Sequence, residues 1–564
     1  MVNQQRKKDI LQLVIALVAI VVLNIVSQYA FTRIDFTKEK RYTISPISIQ
    51  ILENLKAPVK ITVFLEGEFP SGFKRLRSAT KDLLIDYKAY AGENIQFEFV
   101  NPLEGKNQQQ QEEIYQELAQ KGIEPTNLSV KTESGLSQKV IFPAAMVNSG
   151  SQSIPVSLLQ NRIGISPEEV LNNSIQNLEY AFSSAIKKAV SGGKPRVGFT
   201  EGNGELDDLQ LQDAMKSLAD GYEAGRINLT DITNEGLKKL KVMVIAKPET
   251  GFSELEKYKI DQFLMRGGKI IWTIDQVNAD LDSMRNGARQ EQLAFQKKLN
   301  LDDQLFTYGI RINYDLVGDM NCAQIPVNVG TAGGQPQIQL VPWLFYPIIM
   351  PVSTHPMVKN LDGIKTEFIN TIDTISVANI RHTILLTTSP FNRELETPNI
   401  ISLKMIEETP DPKLFQSTPK PVCVLLEGKF KSNFVTQAIP EGADLGTKTI
   451  NKSEFTKMLV FSDGDVFKSQ VSGKDGSVFP LGYDKYSQQT YGNKTFLLNA
   501  VDYLTDDSGL IALRSKEIKL RLLDKGKLVA DKVQWQLINT LIPLFILIFF
   551  GIFQHLYRKR KYAG

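Results

Sequence analysis

Apolar residues cluster in two uncharged runs near the chain ends, and between them short apolar stretches alternate with segments of helical periodicity. Residues 10–31 (ILQLVIALVAIVVLNIVSQYAF) form a 22-residue run without charge, and a spanning helix needs ~20 residues. The apolar region of a cleaved signal is shorter, ~7–15 residues, and ends in a small-x-small site. Here Ala30 pairs with Gln28 and Tyr29 with Ser27, so an uncleaved anchor is expected. Residues 537–556 (LINTLIPLFILIFFGIFQHL) contain no Asp, Glu, Lys or Arg, and Trp535 and Tyr557 flank them as interfacial aromatics. Pro543 and Gly551 are tolerated in a membrane helix. The Arg558-Lys559-Arg560-Lys561 cluster that follows favours a second anchor over a buried core helix.

The region between reads as α/β. Residues 60–65 (KITVFL) predict a strand, 73–91 an amphipathic helix ended by Gly92, 95–100 (IQFEFV) an alternating strand and 108–120 a polar helix. Two more strands are expected in 140–148 and 154–158. Ser166-Pro167-Glu168-Glu169 is a helix start with a capping box, and the helix runs to about Ala189 before Ser191-Gly192-Gly193. Beyond it, 196–200 (RVGFT), 241–246 (KVMVIA) and 269–275 (KIIWTID) predict buried, nonalternating strands separated by helices near 209–218 and 254–266. Such alternation implies a parallel sheet covered on both faces. A helix is expected near 290–299; the order of 310–420 is not traceable from its pattern; and 422–426, 458–461 and the helix 494–504 complete the body. The segment 65–73 (LEGEFPSGF) echoes 426–434 (LEGKFKSNF), each after a Pro-Val strand start, through duplication of a strand–loop unit or by chance.

The expected organisation is a cytoplasmic tail (1–9), a membrane helix (10–31), an N-terminal α/β ectodomain (32–160) and a larger α/β ectodomain of one or two lobes (161–513). A connector (514–536), a second membrane helix (537–556) and a basic cytoplasmic tail (557–564) complete the chain. The first nine residues carry a net +2 and the last eight +4, against +3 for the whole chain, which leaves −3 between them. Both basic tails lie outside the anchors, so the positive-inside rule puts both termini in the cytoplasm and the middle in the periplasm. Arg33, Lys38, Lys40 and Arg41 weaken that bias at the first helix; the second has no such rival. A mildly acidic middle gives no footprint for nucleic acid. With 564 residues, 42% hydrophobic and 23% charged, and a mean hydropathy of −0.15, the chain is neither disordered nor a polytopic permease. Two cysteines, Cys322 and Cys423, and three histidines leave little for a structural zinc site or a catalytic triad. An oxidising compartment permits a Cys322–Cys423 bond.

Candidate chemistry concentrates at two turns. Gly202-Asn203-Gly204-Glu205 lies between a strand and a helix and matches the first two glycines of a dinucleotide turn, but Asp207 stands at the third. Glu201, Glu205, Asp207 and Asp208 surround it. At ~4 Å and an effective dielectric near 20, each like-charge contact with a phosphate costs up to about 4 kcal/mol. A tight turn whose carboxylates favour the helix N-terminus, or a partner or polar-ligand contact, fits better. Asp463-Gly464-Asp465 follows a strand, so its carboxylates face the ligand-binding edge of a parallel sheet, or cap a turn. It lacks the further ligands of an EF-hand. The run 442–448 (GADLGTK) fails the phosphate-loop spacing, and no G-x-S-x-G elbow is present. No catalytic residue, metal set or cofactor is assigned.

The order of these features is similar to a known family. An N-terminal anchor precedes Arg41-Tyr42-Thr43-Ile44-Ser45 and a Pro-Val strand. Gly202-Asn203-Gly204-Glu205 stands where the family has Gly-His-Gly-Glu. Gly267-Gly268, Asp463-Gly464-Asp465, Gly492-Asn493 and Asn499 then lead to a terminal anchor with a basic tail. The chain resembles the GldG-type auxiliary, substrate-binding-like subunits of gliding-motility ABC transporters of the Bacteroidetes. The resemblance implies a cytoplasmic ATPase partner, a permease partner, and a link to gliding and its associated protein secretion. It also implies flavodoxin-like or amidotransferase-like α/β domains without catalytic residues. Asn203 in place of His removes a group that would titrate near neutral pH. The expected function is thus a non-enzymatic, twice-anchored subunit that touches lipid, its ABC partners, and a periplasmic protein or peptidoglycan. The alternatives are a glycan or solute receptor and a tethered cell-wall hydrolase.

Overall fold

The computed structural model describes residues 2–29, 43–123, 125–132, 135–160, 165–286, 289–332, 335–407, 409–443, 448–515 and 531–562. The chain divides into two units, one of Met1–Tyr42 with Glu517–Gly564 and one of Thr43–Lys516. In the first, helix α1 (Val2–Tyr29) carries the exposed apolar stretch Ile10–Val22. Residues 30–31 of the expected anchor lie outside the described residues, as do 444–447 of the GADLGTK run.

In Thr43–Lys516, Ser45 caps α2 (Pro46–Glu53) and begins the N-terminal module. It continues through β1 (Val59–Val63), α3 (Ser71–Ala91), β2 (Ile95–Phe99), α4 (Gln108–Gln120), β3 (Thr126–Thr132), β4 (Gly135–Ile141), β5 (Ala144–Ser149) and β6 (Gln152–Ser157). The sheet order is β2-β1-β5-β6, with only β1 and β2 parallel. Helix α5 (Pro167–Val190) packs Leu171, Leu178, Phe182 and Ile186 into the same core as Val59, Ile61, Val63 and Leu84. Ser166 accepts the Glu169 N–H at 3.3 Å, but the Glu169 carboxylate makes no return bond, so the expected capping box is half formed. A buried polar cluster ties the helices together: Glu179 accepts from the Ser45 N–H (2.6 Å) and the Ser48 hydroxyl (2.9 Å), while Tyr87 and Ser183 share a hydrogen bond.

The larger body follows as β7 (Arg196–Glu201), α6 (Asp208–Leu218), β8 (Glu223–Asn228), α7 (Asn234–Lys239), β9 (Leu240–Ala246), α8 (Glu254–Met265) and β10 (Lys269–Thr273). The chain then makes an excursion through β11 (Val277–Asn278), α9 (Leu281–Asn286), β12 (Glu291–Gln296), α10 (Asp302–Tyr308), β13 (Ile310–Ile312) and β14 (Asp315–Asp319). The long hairpin β15 (Cys322–Ala332) and β16 (Gln335–Ile349), then β17 (Ile364–Lys365) and β18 (Ile372–Thr374), bring it back to β19 (Ile380–Thr387). After β20 (Asn392–Glu396) and β21 (Asn399–Ser402), β22 (Pro421–Gly428), β23 (Thr456–Phe461) and α11 (Asn493–Thr505) finish the body. Helix α12 (Lys532–Tyr562) belongs to the other unit.

The main sheet has the order β19-β22-β23-β10-β9-β7-β8. Strands β8, β7, β9, β10 and β23 are parallel; β22 runs against β23, and β19 against β22. The nonalternating strands are covered on both faces, as their sequence predicts. In β9, Val242, Val244 and Ala246 pack with α6 and α11, while Met243 and Ile245 pack with α8 and α10. The helix expected near 290–299 is instead strand β12. Its residues pair with β21, which buries Ala294 and leaves Leu293 and Phe295 exposed, so the period is two and the partner lies far along the chain. Cys322 and Cys423 are free thiols, and burial raises both, Cys322 to about 11.

The two echoed segments share a glycine with positive φ, Gly67 (+132°) after β1 and Gly428 (+152°) as the last residue of β22, but one leads into the 21-residue α3 and the other into a three-residue turn, Asn433–Val435. A Cβ on Gly428 would overlap the Asn379 carbonyl, whereas one on Gly225 in β8 meets nothing within 4 Å. Gly428→Ala is expected to cost at least about 2 kcal/mol, through a clash and a conformation L-residues rarely adopt, and Gly225→Ala to lie within about 0.5 kcal/mol of neutral. Denaturant unfolding followed by tryptophan fluorescence measures both; equal effects would contradict the assigned backbone.

Candidate functional site

The residues that follow the buried parallel strands emerge at the same edge of the sheet. Gly202 follows β7, Lys247 follows β9, Asp275 follows β10 and Asp463 follows β23. The strand order reverses between β7 and β9, which is where doubly wound sheets open a ligand crevice.

Here protein fills that crevice. Gly202 and Gly204 have φ of +116° and +76°, which suits glycine at both positions. Between them Asn203 is buried, and its carbonyl accepts the Glu249 N–H (2.8 Å) and the Thr250 N–H (2.9 Å) from the loop after β9. The Asn203 N–H donates to Glu205 Oε2 at 2.7 Å, and its side-chain amide to the Gly251 carbonyl at 3.4 Å. A Cβ on Gly204 would sit 2.9 Å from Glu249 Cβ. The α6 N-terminus is also satisfied within the chain, because Asp207 accepts the Gln210 N–H (2.8 Å) and Gln210 accepts the Asp207 N–H (3.0 Å). Arg226 pairs with Glu201 (3.2 Å) and Asp208 (3.5 Å), so part of the expected negative field is neutralised. The turn is thus tied to the loop after β9 through its own backbone and ringed by carboxylates, which disfavours a phosphate there.

Asp463 and Asp465 belong to a buried ionic network that the sequence shows only in pieces. Asp463 caps the turn Gly464–Phe467 by accepting the Asp465 N–H at 2.9 Å. Asp275 accepts the Gly464 N–H at 2.6 Å. Lys247 reaches Asp465 at 2.5 Å and Asp275 at 3.6 Å. Lys468 bonds the other Asp465 oxygen at 2.8 Å. Lys297 joins Glu249 (2.8 Å) to Asp275 (3.8 Å). Gly464 is required, since a Cβ there would lie 2.6 Å from Lys247 Cγ. One oxygen from each of Asp275, Asp463 and Asp465 lies within 4.8 Å of the others, a grouping able to hold a cation, but the Lys247 ammonium already supplies the positive charge.

The protonation states follow from this geometry. Burial pushes Asp463 well above the usual carboxylate range, and the charges of Asp275 and Asp465 add to the effect. Burial acts the same way on Asp465, but Lys247 and Lys468 outweigh it and hold that carboxyl well below the range. Asp275 is raised by burial against the opposing charges of Lys247 and Lys297. Burial disfavours the charge on Lys247, yet Asp465 and Asp275 raise its pKa overall. The result is a set of locked, compensated charges.

The sequence turns Gly202–Glu205 and Asp463–Asp465 thus lie on the same edge, the first closed by backbone and the second by lysines. Sequence reasoning missed Lys247, Asp275, Lys297 and Lys468. Their signal was positional, for Lys247 and Asp275 directly end the strand segments KVMVIA and KIIWTI.

The terminal interface residues lie on α12. Trp535, Tyr557, Arg558, Lys559 and Arg560 are exposed, and Lys561 lies in its last turn. The segment Lys532–Arg560, whose most apolar 18 residues have a mean hydropathy of 2.2, is long enough to cross a membrane, the one such helix among the described residues.

Residues 194–500 match the family described as an ABC-type uncharacterized transport system. Residues 38–148 match a domain of unknown function. An uncharacterized protein of Borreliella burgdorferi is 20% identical over 574 residues, covering 99% of each chain. Among solved structures, an IFT52 N-terminal domain matches at a TM-score of 0.31 and 14% identity, over 55% of this chain and 98% of that one.

Lys247→Met leaves Asp465 and Asp275 buried without their shared cation, and is expected to destabilise the body by about 3–5 kcal/mol. The pH dependence separates the two turn carboxylates. Asp465, depressed in the fold, contributes stability above ~pH 4 that is lost as pH falls through its folded pKa. Asp463, raised in the fold, does the reverse: its contribution is full below ~pH 4 and is lost as pH rises toward its folded pKa. Asp463→Asn is therefore expected to gain stability relative to the parent between pH 4 and 8. Unfolding midpoints across that range measure it; a constant difference would refute the assignment.

Proposed function

The chain belongs to the ABC-type uncharacterized transport system family and is an auxiliary component of such a system; on that premise we propose that it is a non-enzymatic, membrane-anchored subunit whose α/β body contacts partners outside the cytosol. The observation that carries this reading is the placement of the family match. It falls on the doubly wound body, and a helix of membrane-spanning length follows.

The charge pattern supports the orientation. Arg558, Lys559, Arg560 and Lys561 follow the apolar segment, and Arg6, Lys7 and Lys8 precede the run at 10–31. In this reading α1 is a second anchor, both termini are cytoplasmic and the body is periplasmic. The partners are a permease in the membrane and an ATPase in the cytoplasm, with a periplasmic protein or peptidoglycan as a further contact. At the edge of the body, the exposed Gly202 and Gly204 with Glu205 would serve as contact surface, while Asn203, buried between them, would hold the turn in shape. A role in gliding and its associated secretion is the finer form of the proposal, and rests on the resemblance at Arg41–Ser45, Gly202–Glu205 and the terminal anchor.

The non-enzymatic reading draws on the chemistry of the sheet edge. Asp275, Asp463 and Asp465 are buried and committed to lysines or backbone amides. A general acid or base must instead reach a substrate proton.

Solubilisation in mild detergent and affinity purification of the intact chain should recover an ABC ATPase and a permease in fixed ratio. Recovery of the chain alone would contradict the reading. Reporters fused in the loop at Gly476 and after Gly564 should lie on opposite sides of the membrane, and a cytosolic signal from the first would remove the proposed topology.

A further inference from the structure

A cavity of about 230 Å³ opens beside the ionic network, between the sheet edge and the excursion. It is bounded by Arg285, Tyr346, Lys365 and Glu367 from the excursion and by Lys468 and Lys485 from the stretch after β23. At ~30 Å³ per water the space holds about eight heavy atoms, so a ring-sized ligand sits partly inside and partly in the open mouth.

The charges in its wall are not equally committed. Lys365 is bound to Asp484 at 2.7 Å, and Lys468 to Asp465 at 2.8 Å. Glu367 sits between these two lysines at longer range, 3.7 Å and 3.9 Å, and neither of its oxygens is held by a hydrogen bond among the described residues. Its acceptor capacity is therefore open, but the flanking ammonium groups repel a cation. A neutral hydroxyl is the donor that fits. Lys485 has the complementary vacancy. Its ammonium donates to the Val471 carbonyl at 3.0 Å and lies 5.2 Å from the Tyr486 ring, but no carboxylate is within ion-pair distance among the described residues. A ligand carboxylate would complete it. The exposed Tyr486 ring offers a face to the C–H surface of a ring-shaped ligand. Ser469, also in the wall, carries a buried hydroxyl without a partner.

We propose that this cavity binds a hydroxyl-rich carboxylic acid of about one sugar ring, of the uronic acid class, with its hydroxyls on Glu367 and its carboxylate on Lys485. The site is separate from the Gly202–Glu205 turn, and the inference stands whether or not the chain copurifies with ABC partners.

The test uses the full chain in lipid nanodiscs and ligand-observed saturation-transfer NMR. D-glucuronate is expected to bind saturably, with a Kd on the order of 1 mM for a ligand of this size, and D-glucose about tenfold more weakly. A glucuronate-terminated disaccharide distinguishes the sources. If it binds as well as the monosaccharide, the site takes a glycan end; if it does not, the site takes the free acid. Both outcomes support the proposal. Lys485→Gln should bring glucuronate to the level of glucose, while Glu367→Gln should weaken both sugars. Unchanged circular dichroism and an unchanged unfolding midpoint show that each variant is folded. The proposal is overturned if glucuronate gives no saturable signal at ~20 mM, if it binds no better than glucose, if alanyl-alanine displaces it, or if Lys485→Gln leaves its binding intact.

Discussion

Strands β9, β10 and β23 are buried on both faces, and that constraint arranges the rest of the body. Past Lys241, Lys269 and Lys457 at their starts, no face along these strands is free to carry a charge, so the next charged side chains come where the strands end. Parallel direction brings those ends to one edge. Lys247, Asp275 and Asp463 therefore meet although they are far apart in the chain, and with Asp465 they share buried ground. Charges removed from water must be matched or neutralised. The edge does both: Lys247 and Lys468 match Asp465, while burial and the neighbouring acids favour the neutral form of Asp463. Gly464 is part of the same solution, because only a residue without a side chain lets the turn pass over Lys247.

Local signals carried much of this into the sequence. KVMVIA and KIIWTI read as strands covered on both sides because they do not alternate, and β9 and β10 are such strands. Helix α4 was legible to the residue, as a polar helix over 108–120. What was not legible depends on distant partners. Residues 291–296 look helical in isolation and become a strand only by pairing with β21, more than a hundred residues later. Helix α5 carries no mark of its own destination; its apolar stripe fits the N-terminal sheet, where Leu171 and Phe182 join Val59 and Ile61. The candidate turns were found, but their closure was not. Asn203 looks like an exposed turn residue until the loop after β9 folds onto its carbonyl.

The two matched regions, 38–148 and 194–500, leave α5 between them, and α5 is the element that crosses from one module to the other. It packs on the N-terminal sheet, while Lys187 and Lys188 pair with Asp506 (3.1 Å) and Asp502 (2.7 Å) at the end of α11. Tyr180 and Tyr222 also donate to Asp502, at 3.1 Å and 2.5 Å. Thus one side of α5 is held by apolar burial and the other by charged contacts with the last helix of the body.

Lys468 links the locked edge to the open cavity. Its ammonium bonds Asp465 inside the network and lies 3.9 Å from Glu367 in the cavity wall. Any ligand that engages Glu367 alters the field felt by Lys468, and through it the balance that keeps Asp465 charged. The reverse also holds, since two interactions that share a residue are coupled by the same free energy in both directions. The loops after β9, β10 and β23 are tied together by that balance. An occupied cavity and a rearranged sheet edge would then be two readings of one equilibrium, a physical route by which the body could report a bound acid to whatever partner rests on that edge.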